Sequence, residues 1–447
     1  MSSLREHQDP TLSPGATRGA AGPARGAEAV GESGPALARP RPARTLLAAV
    51  RPDVRADLYG FYDQLRERGP CYWDRPLRSW VVTSYELASA LAGDPRLSSV
   101  RYPDLAAAPA PLRPVARVLS HQMIYVDAPA HPRMRGTVSR AFTARAIATL
   151  RPRVSALVAE LIDAVAPTGR MDLVAEFAEP LPARVVCDLL EVPPADREQV
   201  VAWSRSLATV IGSANASPPE ALAAADAVER LFAYFDRRFA TRPADADGPL
   251  SALLSAAAAD RLSTDELLAN TLLLLVGGHE TTTHFIGCAM LALFRHPAER
   301  ARLAERPALL PAAVEELMRY DPPAQLLLRR ATADLDLGGN RVAAGQPILI
   351  VVGAVNRDPA AFTEPHRLDL DRGDARHLTF GHGAHFCLGA PLARLEGAIA
   401  LGELLRRLPD IRLATEDLAW LPSLDFRGLR SLPVSFTPAP VRLPVVE

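Results

Sequence analysis

The alternation of apolar and polar residues along the chain is mostly that of helices. A hairpin is predicted at 71–83, where Tyr, Trp and Val are frequent, and a helix follows at 85–91. Further helical segments are predicted at 132–166, 181–211, 219–240, 249–258, 308–320 and 391–407. Short strands are expected within 335–352 and near the end of the chain. The segment 97–125 is predicted to be a long loop, and a candidate substrate lid, because it holds several prolines and little periodicity.

The longest predicted helix departs from this pattern in its middle. It begins after Ser263, which forms a capping box with Glu266, and it ends before Pro297. A run of leucines is followed by Gly277-Gly278-His279-Glu280-Thr281-Thr282, where a core helix should be apolar. Glycine lets a ligand approach the backbone, and a Thr hydroxyl can bond the preceding turn and bend the helix. This segment therefore predicts a functional site.

The same segment contains a weak resemblance to a zinc-protease motif. His279 and His284 flank Glu280, but the two histidines are five residues apart rather than four. Five residues turn a helix by about 140°, so the imidazoles are expected to point to different faces. A zinc site is not predicted.

Composition removes several classes of function. The chain has 447 residues, and 50 Lys and Arg balance 51 Asp and Glu, so its net charge gives no reason to expect nucleic acid or an anionic membrane as a partner. No apolar run approaches the length that spans a bilayer. Residues 1–44 lack aromatic side chains and are expected to be a disordered arm. The four cysteines show no CxxC spacing, which favours the reducing cytoplasm.

One cysteine lies in an unusual setting before the last long helix. The segment reads Phe380-Gly-His-Gly-Ala-His-Phe-Cys387-Leu-Gly389. The N-terminus of the following helix favours a thiolate at Cys387. An inert buried cysteine would not need three surrounding glycines, which are costly unless the backbone geometry requires them.

Taken together, the motifs resemble the cytochrome P450 family of heme-thiolate monooxygenases, of the soluble bacterial type. The matching residues are Phe380, Gly383, Cys387 and Gly389 of the FxxGxxxCxG signature, Glu316 and Arg319 of the ExxR pair with Arg367 as its third member, Gly277–Thr282 of the oxygen-binding groove, and His131 and Arg135 of the HxxxR segment. The resemblance covers residues 45–447. It implies one mainly α catalytic domain with the single-domain P450 fold, a helical prism with small β-sheets.

The resemblance also implies a cofactor and roles for these residues. The cofactor is heme b, with Cys387 as the only protein ligand to iron. The cations expected to hold the two heme propionates are His131, Arg135, Arg329 and His385, with Arg330 as the alternative to Arg329. Glu280 and Thr281 are expected to deliver the protons that O–O cleavage consumes. Glu316, Arg319 and Arg367 are expected to be structural.

The implied activity is insertion of one atom of O2, by hydroxylation or epoxidation, into a small lipophilic molecule. A bacterial natural product such as a macrolide, terpenoid or aromatic polyketide is favoured, and a fatty acid stays open. The sequence has no GxGxxG motif after a strand, so electrons from NAD(P)H are expected through a separate ferredoxin and its reductase. Two alternatives are an oxidative coupling enzyme and a noncatalytic heme-thiolate sensor, and a sensor would not need Glu280 and Thr281.

By the same analogy, two surfaces are expected. The substrate pocket would draw on 97–122, 181–211, Gly277, Thr282, 324–328 and 421–426, with Gln325 and Asp425 as polar anchors. A basic docking face for the ferredoxin would use Arg133, Arg140 and Arg394.

Overall fold

The computed structural model describes residues 45–100, 108–211, 217–241, 249–259, 261–373 and 376–438. The arm predicted at 1–44 lies outside the described residues, as does the part of the expected lid at 101–107.

Helices make up most of the described chain. The α-helices are α1 (Pro52–Ala56), α2 (Leu58–Arg66), α3 (Tyr85–Ala92), α4 (Arg113–Ser120), α5 (Ala130–Val138), α6 (Ala144–Ala148), α7 (Arg151–Val165), α8 (Pro180–Leu189), α9 (Arg197–Ile211), α10 (Pro218–Ala240), α11 (Pro249–Ala258), α12 (Thr264–Arg295), α13 (Pro297–Glu305), α14 (Leu310–Tyr320), α15 (Val352–Val355) and α16 (Ala390–Arg407). A π-helical turn at Val174–Ala178 precedes α8.

The strands form small sheets at the edge of the helical body. They are β1 (Cys71–Asp74), β2 (Ser79–Val82), β3 (Leu97–Ser98), β4 (Arg170–Asp172), β5 (Leu326–Ala331), β6 (Leu335–Leu337), β7 (Asn340–Val342), β8 (Pro347–Val351), β9 (Arg412–Leu413) and β10 (Pro433–Ser435). The largest sheet has the order β1-β2-β8-β5-β3, with β2 and β8 parallel and the other neighbours antiparallel. The mainly helical class with small sheets is confirmed.

Several predicted elements are confirmed, and others are wrong for local reasons. The hairpin at 71–83 and the helices at 219–240, 249–258 and 391–407 are present within a residue or two. The segment 132–166 breaks into α5, α6 and α7, because the Thr143 side chain caps α6 and a proline begins α7. The predicted loop contains α4, which buries one apolar face although prolines precede it and one lies in its first turn.

Helix α12 crosses the core and places the unusual segment at its centre. Its capping box is present, with the Ser263 side chain accepting from the Glu266 amide and the Ser263 amide donating to Glu266. Most of α12 is buried, but Gly277 is exposed and Leu274 and Thr281, one helical turn before and after it, are half-buried. Leu274 packs against the same buried cluster as Leu388, the residue after Cys387. The open stripe of α12 and the cysteine loop thus both contact this buried cluster. No helix among the described residues is long and apolar enough to cross a membrane.

Candidate active site

The loop before α16 is closed by its own backbone. Gly381 and Gly383 have φ angles of 70° and 73°, in the left-handed region that favours glycine. A Cβ on Gly383 would lie 2.8 Å from the carbonyl oxygen of Ala92, so a side chain has no room there. The Cys387 amide donates to the Phe380 carbonyl at 2.8 Å. These constraints explain the glycine spacing and hold Cys387 at the start of α16.

The thiol of Cys387 is in an environment with opposing effects. The Cys387 side chain is exposed to solvent in this structure, although many protein atoms surround its thiol. Burial raises the pKa of the Cys387 thiol, while the amides of Gly389 and Ala390 and the Arg135 guanidinium lower it. The helix N-terminus thus favours the thiolate, as the sequence indicated. In the protein alone, the effect of burial on the pKa is larger. A bound metal ion would remove the proton, as it does for coordinating thiols generally.

Two histidines and two arginines gather beside this loop. The rings of His131 and His385 lie with centroids 4.0 Å apart. Burial and the positive charges of His131 and Arg329 lower the pKa of His385 to about 4. Arg135 donates to the Phe386 carbonyl at 2.6 Å. The structure therefore brings together the four side chains that the sequence proposed as propionate ligands.

The neighbouring arginines on β5 point in different directions, as successive strand residues do. Burial lowers the pKa of Arg329, against the charge of Asp127. Arg330 instead donates to the Gly345 carbonyl at 2.6 Å, away from the cluster.

The two arginines of this cluster fit an anionic group. Asp127 is the carboxylate whose charge acts on His131, Arg329 and His385, and it also accepts the Ser99 amide at 2.9 Å. One carboxylate does not balance the guanidinium groups of both Arg135 and Arg329, and buried charge without a counter-ion is unfavourable. The carboxylates of a bound porphyrin would supply negative charge to these two guanidinium groups, beside the thiol of Cys387.

Across from the loop, the glycines of α12 have distinct surroundings. A Cβ on Gly277 would meet nothing within 4 Å, whereas a Cβ on Gly278 would lie 2.8 Å from Cγ2 of Val186 on α8. Thr281 donates its hydroxyl proton to the Gly277 carbonyl at 3.2 Å. Gly277 thus keeps the open side of α12 clear, and Gly278 allows α8 to pack against the helix.

Glu280 lies between two histidines of its own helix. Its carboxylate oxygens are 3.3 Å from Nε2 of His279 and 3.6 Å from Nε2 of His284, and its side chain is 16% exposed. Burial opposes ionisation, but the hydrogen bond with His279 and the charges of His279, His284 and Arg205 prevail, so the pKa of Glu280 is lowered. The two imidazoles were expected to point to different faces of the helix, yet both lie close to the Glu280 carboxylate. Among the described residues, no group of three or more His, Cys, Asp or Glu side chains could hold a metal ion.

The buried ion pair of α14 is present, but its third member differs from the expectation. Arg319 donates to Glu316 at 2.7 and 2.9 Å, and both side chains are buried. The Arg367 side chain is 57% exposed and pairs with Glu364. Its expected contact with Glu316 is made by Arg372, whose Nε lies 3.1 Å from both oxygens. Arg367 contributes its backbone carbonyl, which accepts from Arg319.

Other expected contacts also change. Gln325 is wholly buried, accepts from the Tyr62 hydroxyl and donates to the Pro322 carbonyl, so it is no pocket anchor. Arg133 forms an ion pair with Glu266, and Arg394 forms one with Glu315. These pairs reduce the positive charge that the expected docking face could offer to a ferredoxin. The side chain of Arg140 lies outside the described residues.

Comparison with known proteins places this geometry in a family. A profile described as Cytochrome P450 matches residues 223–409. The chain is 39% identical to cytochrome P450 monooxygenase PikC of Streptomyces venezuelae, over 87% of this chain and 93% of that protein. It is 41% identical to mycinamicin IV hydroxylase/epoxidase of Micromonospora griseorubida, over 84% of this chain and 95% of that protein.

A solved structure gives the same result for the fold. P450BioI, in complex with an acyl carrier protein ligated to hexadec-9Z-enoic acid, superposes with a TM-score of 0.82 at 35% identity, covering 86% of this chain and all of that one. The chain belongs to the cytochrome P450 family and is a P450 monooxygenase.

Proposed function

We propose that this enzyme hydroxylates or epoxidises a large lipophilic natural product, such as a macrolide, using O2 and electrons from NAD(P)H through a ferredoxin and its reductase. The observation that carries the proposal is the placement of Cys387, the excess of cations and the Glu280–Thr281 pair around one region of the core. The name of the mycinamicin IV hydroxylase/epoxidase supports both reaction types. Leu326 and Leu328, which are half-buried on one face of β5, would offer apolar contacts to the substrate.

The proposed cofactor is heme b. Cys387 would bind the iron as a thiolate, and His131, Arg135, Arg329 and His385 would hold the propionates. When bound, a thiolate-ligated heme supplies the activation of O2. The need for a reduced thiol at Cys387 is consistent with a cytoplasmic location.

The chain's own contribution to the chemistry is the supply of protons. The Thr281 hydroxyl uses its proton on the Gly277 carbonyl, so its oxygen is available to accept from a water molecule on the open side of α12. Glu280 precedes it and is ionised and partly exposed, so it can take a proton from solvent and pass it inward. Positioned acid–base groups contribute about 10² to 10⁴ in rate. The pair therefore favours an oxygen-inserting enzyme over a sensor.

The test uses the heme-loaded protein with a surrogate ferredoxin and reductase, and with ligands first selected by a shift of the heme Soret band. Product and hydrogen peroxide are measured per NADPH consumed. Thr281→Ala should retain heme and ligand binding but divert electrons to peroxide. Glu280→Gln should slow turnover by about 10² or more. The reduced carbon monoxide complex should absorb at about 450 nm, the wavelength in the family's name.

Two outcomes would contradict the proposal. A band near that of histidine-ligated heme in intact protein would exclude Cys387 as the ligand. Absence of product with every bound ligand, together with an unchanged peroxide yield in Thr281→Ala, would exclude oxygen insertion.

A further inference from the structure

The two histidines beside Glu280 have different hydrogen-bond partners. His279 is 1% exposed and lies against α9, and its Nδ1 is 2.7 Å from the Leu275 carbonyl. A carbonyl only accepts, so Nδ1 carries a proton. The other nitrogen, Nε2, is 3.3 Å from Glu280 Oε1 and 3.3 Å from the Ser204 hydroxyl.

The hydrogen bonds of Ser204 indicate which atom donates between its hydroxyl and Nε2 of His279. Ser204 is buried and gives its single proton to the Val201 carbonyl at 3.0 Å. Its oxygen therefore faces His279 as an acceptor, as the Glu280 carboxylate does. If Nε2 carried no proton, its lone pair would face two other acceptors, the Ser204 oxygen and the Glu280 carboxylate, and no hydrogen bond could form. The partners of both ring nitrogens thus favour a doubly protonated imidazole.

His284 has a different environment. Its Nε2 is 3.6 Å from Glu280, beyond normal hydrogen-bond length, and its ring packs against Phe426 and Gly428. A Cβ on Gly428 would lie 2.3 Å from Nδ1 of His284. Burial lowers the pKa of His284 against the opposing charge of Glu280, and the charges of His279 and of Arg55 on α1 act in the same direction as burial. His284 is therefore neutral near pH 7, since its pKa lies below the ordinary value of about 6.5, and its charge acts on Glu280 only at lower pH.

We propose that His279 is a positioning residue for proton delivery: a buried imidazolium that holds Glu280 ionised and oriented, while His284 only packs beside it. The proposal rests on the role of Glu280 given above and adds to it the residue that sets its charge. The other cation near Glu280 is Arg205 on α9, which is itself paired with Glu179. Of these side chains, His279 has the ring nitrogen closest to the Glu280 carboxylate, at 3.3 Å.

The first measurement needs no turnover. Histidine side chains are labelled with ¹⁵N in the full heme-loaded chain, in the diamagnetic ferrous carbon monoxide complex. The chain has 10 histidines, and the signals of two are assigned by their disappearance in His279→Gln and His284→Gln. At neutral pH, His279 should show two protonated nitrogens and His284 should show one. A neutral His279, with one protonated nitrogen, would overturn the proposal.

The second measurement follows the acidic limb of the pH–rate profile for product formation. An opposite charge in contact lowers a carboxyl pKa by about 1–3 units. Loss of His279 should therefore shift the acidic limb to higher pH by about that amount. His279→Gln should also lower the rate at neutral pH by about tenfold and raise peroxide yield, whereas His284→Gln should change the rate less than about twofold. Equal shifts in the two variants would overturn the proposal.

Two controls separate this inference from the proposed function. The carbon monoxide spectrum confirms folding and heme uptake in each variant. If Glu280→Gln itself leaves the rate unchanged, the proposed role of Glu280 fails, whatever the charge of His279. If Glu280→Gln is slow and His279→Gln is normal, only the positioning role fails.

Discussion

The Nε atom of Arg372 lies 3.1 Å from both carboxylate oxygens of Glu316. Glu316 thus binds a second guanidinium besides that of Arg319 on its own helix. Arg372 also donates to the Thr363 carbonyl, and Arg319 donates to the carbonyls of Asn356 and Pro365. This buried cluster ties α14 to the irregular segment that leads into the cysteine loop.

The first prediction compares Arg372 with the arginine that sequence pattern selected. Arg372→Ala should lower the free energy of unfolding by about 1.5–3 kcal/mol, because it removes hydrogen bonds to a buried carboxylate. Arg367→Ala should change it by less than about 0.5 kcal/mol, because its side chain is exposed and its carbonyl remains. Urea unfolding of both heme-loaded variants measures the difference. A larger loss in Arg367→Ala would show that the cluster is wrongly assigned.

Features that depend on short segments could be predicted from the sequence. The capping box of α12 and the glycine-rich loop before α16 follow from residues that contact one another within a few positions. The family pattern also selects the side chains that cluster beside Cys387, although it leaves Arg330 as the alternative to Arg329.

Partners that depend on the path of the chain could not be predicted. Arg367 and Arg372 have the same chemistry and lie five residues apart in an irregular segment. Glu364 has a φ of 45°, and nothing in the sequence indicates that this residue takes a left-handed conformation. Gln325 was misplaced for a similar reason, since its partner Tyr62 belongs to α2, far away in the sequence.

The second prediction concerns the two arginines of β5. Arg329→Leu should release heme about tenfold faster, because a buried charge-assisted contact is worth at least about 1.4 kcal/mol. Arg330→Leu should release heme at the wild-type rate, because its guanidinium is directed to the Gly345 carbonyl. Transfer of heme to an excess of apomyoglobin measures both rates. The reverse order would assign the propionate contact to Arg330.

The third prediction is a pH dependence at Glu315. Burial raises its pKa, but hydrogen bonds from Arg394 and His377 outweigh this and lower the pKa of Glu315 to about 2. A lowered folded-state pKa gives stability that is complete above about 4.5 and is lost as pH falls towards 2. Glu315→Gln should therefore cost about 1–2 kcal/mol at pH 7, allowing for solvent screening, and little near pH 2.

The control for Glu315 is Glu403, whose partner Arg406 is 55% exposed. Glu403→Gln should change the free energy of unfolding by less than about 0.5 kcal/mol at either pH. Denaturant unfolding across the acid range measures both variants. A pH-independent loss in Glu315→Gln would show that packing, rather than charge, is responsible.

The last prediction separates the two glycines of α12. Gly278→Ala should lower the free energy of unfolding by about 1–3 kcal/mol, because its methyl group would lie 2.8 Å from Val186 in a packed helix contact. Gly277→Ala should raise it by about 0.5–1 kcal/mol, because alanine is the better helix former and nothing lies within 4 Å of the added atom.

Gly277→Ala should nevertheless impair ligand binding, because the added methyl group would enter the open side of α12 near Thr281. We expect about tenfold weaker binding of a large lipophilic ligand, or about 1.4 kcal/mol, in a titration that follows the heme Soret band. The carbon monoxide spectrum should stay unchanged, which shows that heme is still held by Cys387. If Gly277→Ala loses stability while ligand binding is unaffected, this stripe of α12 packs against protein and does not line the substrate pocket.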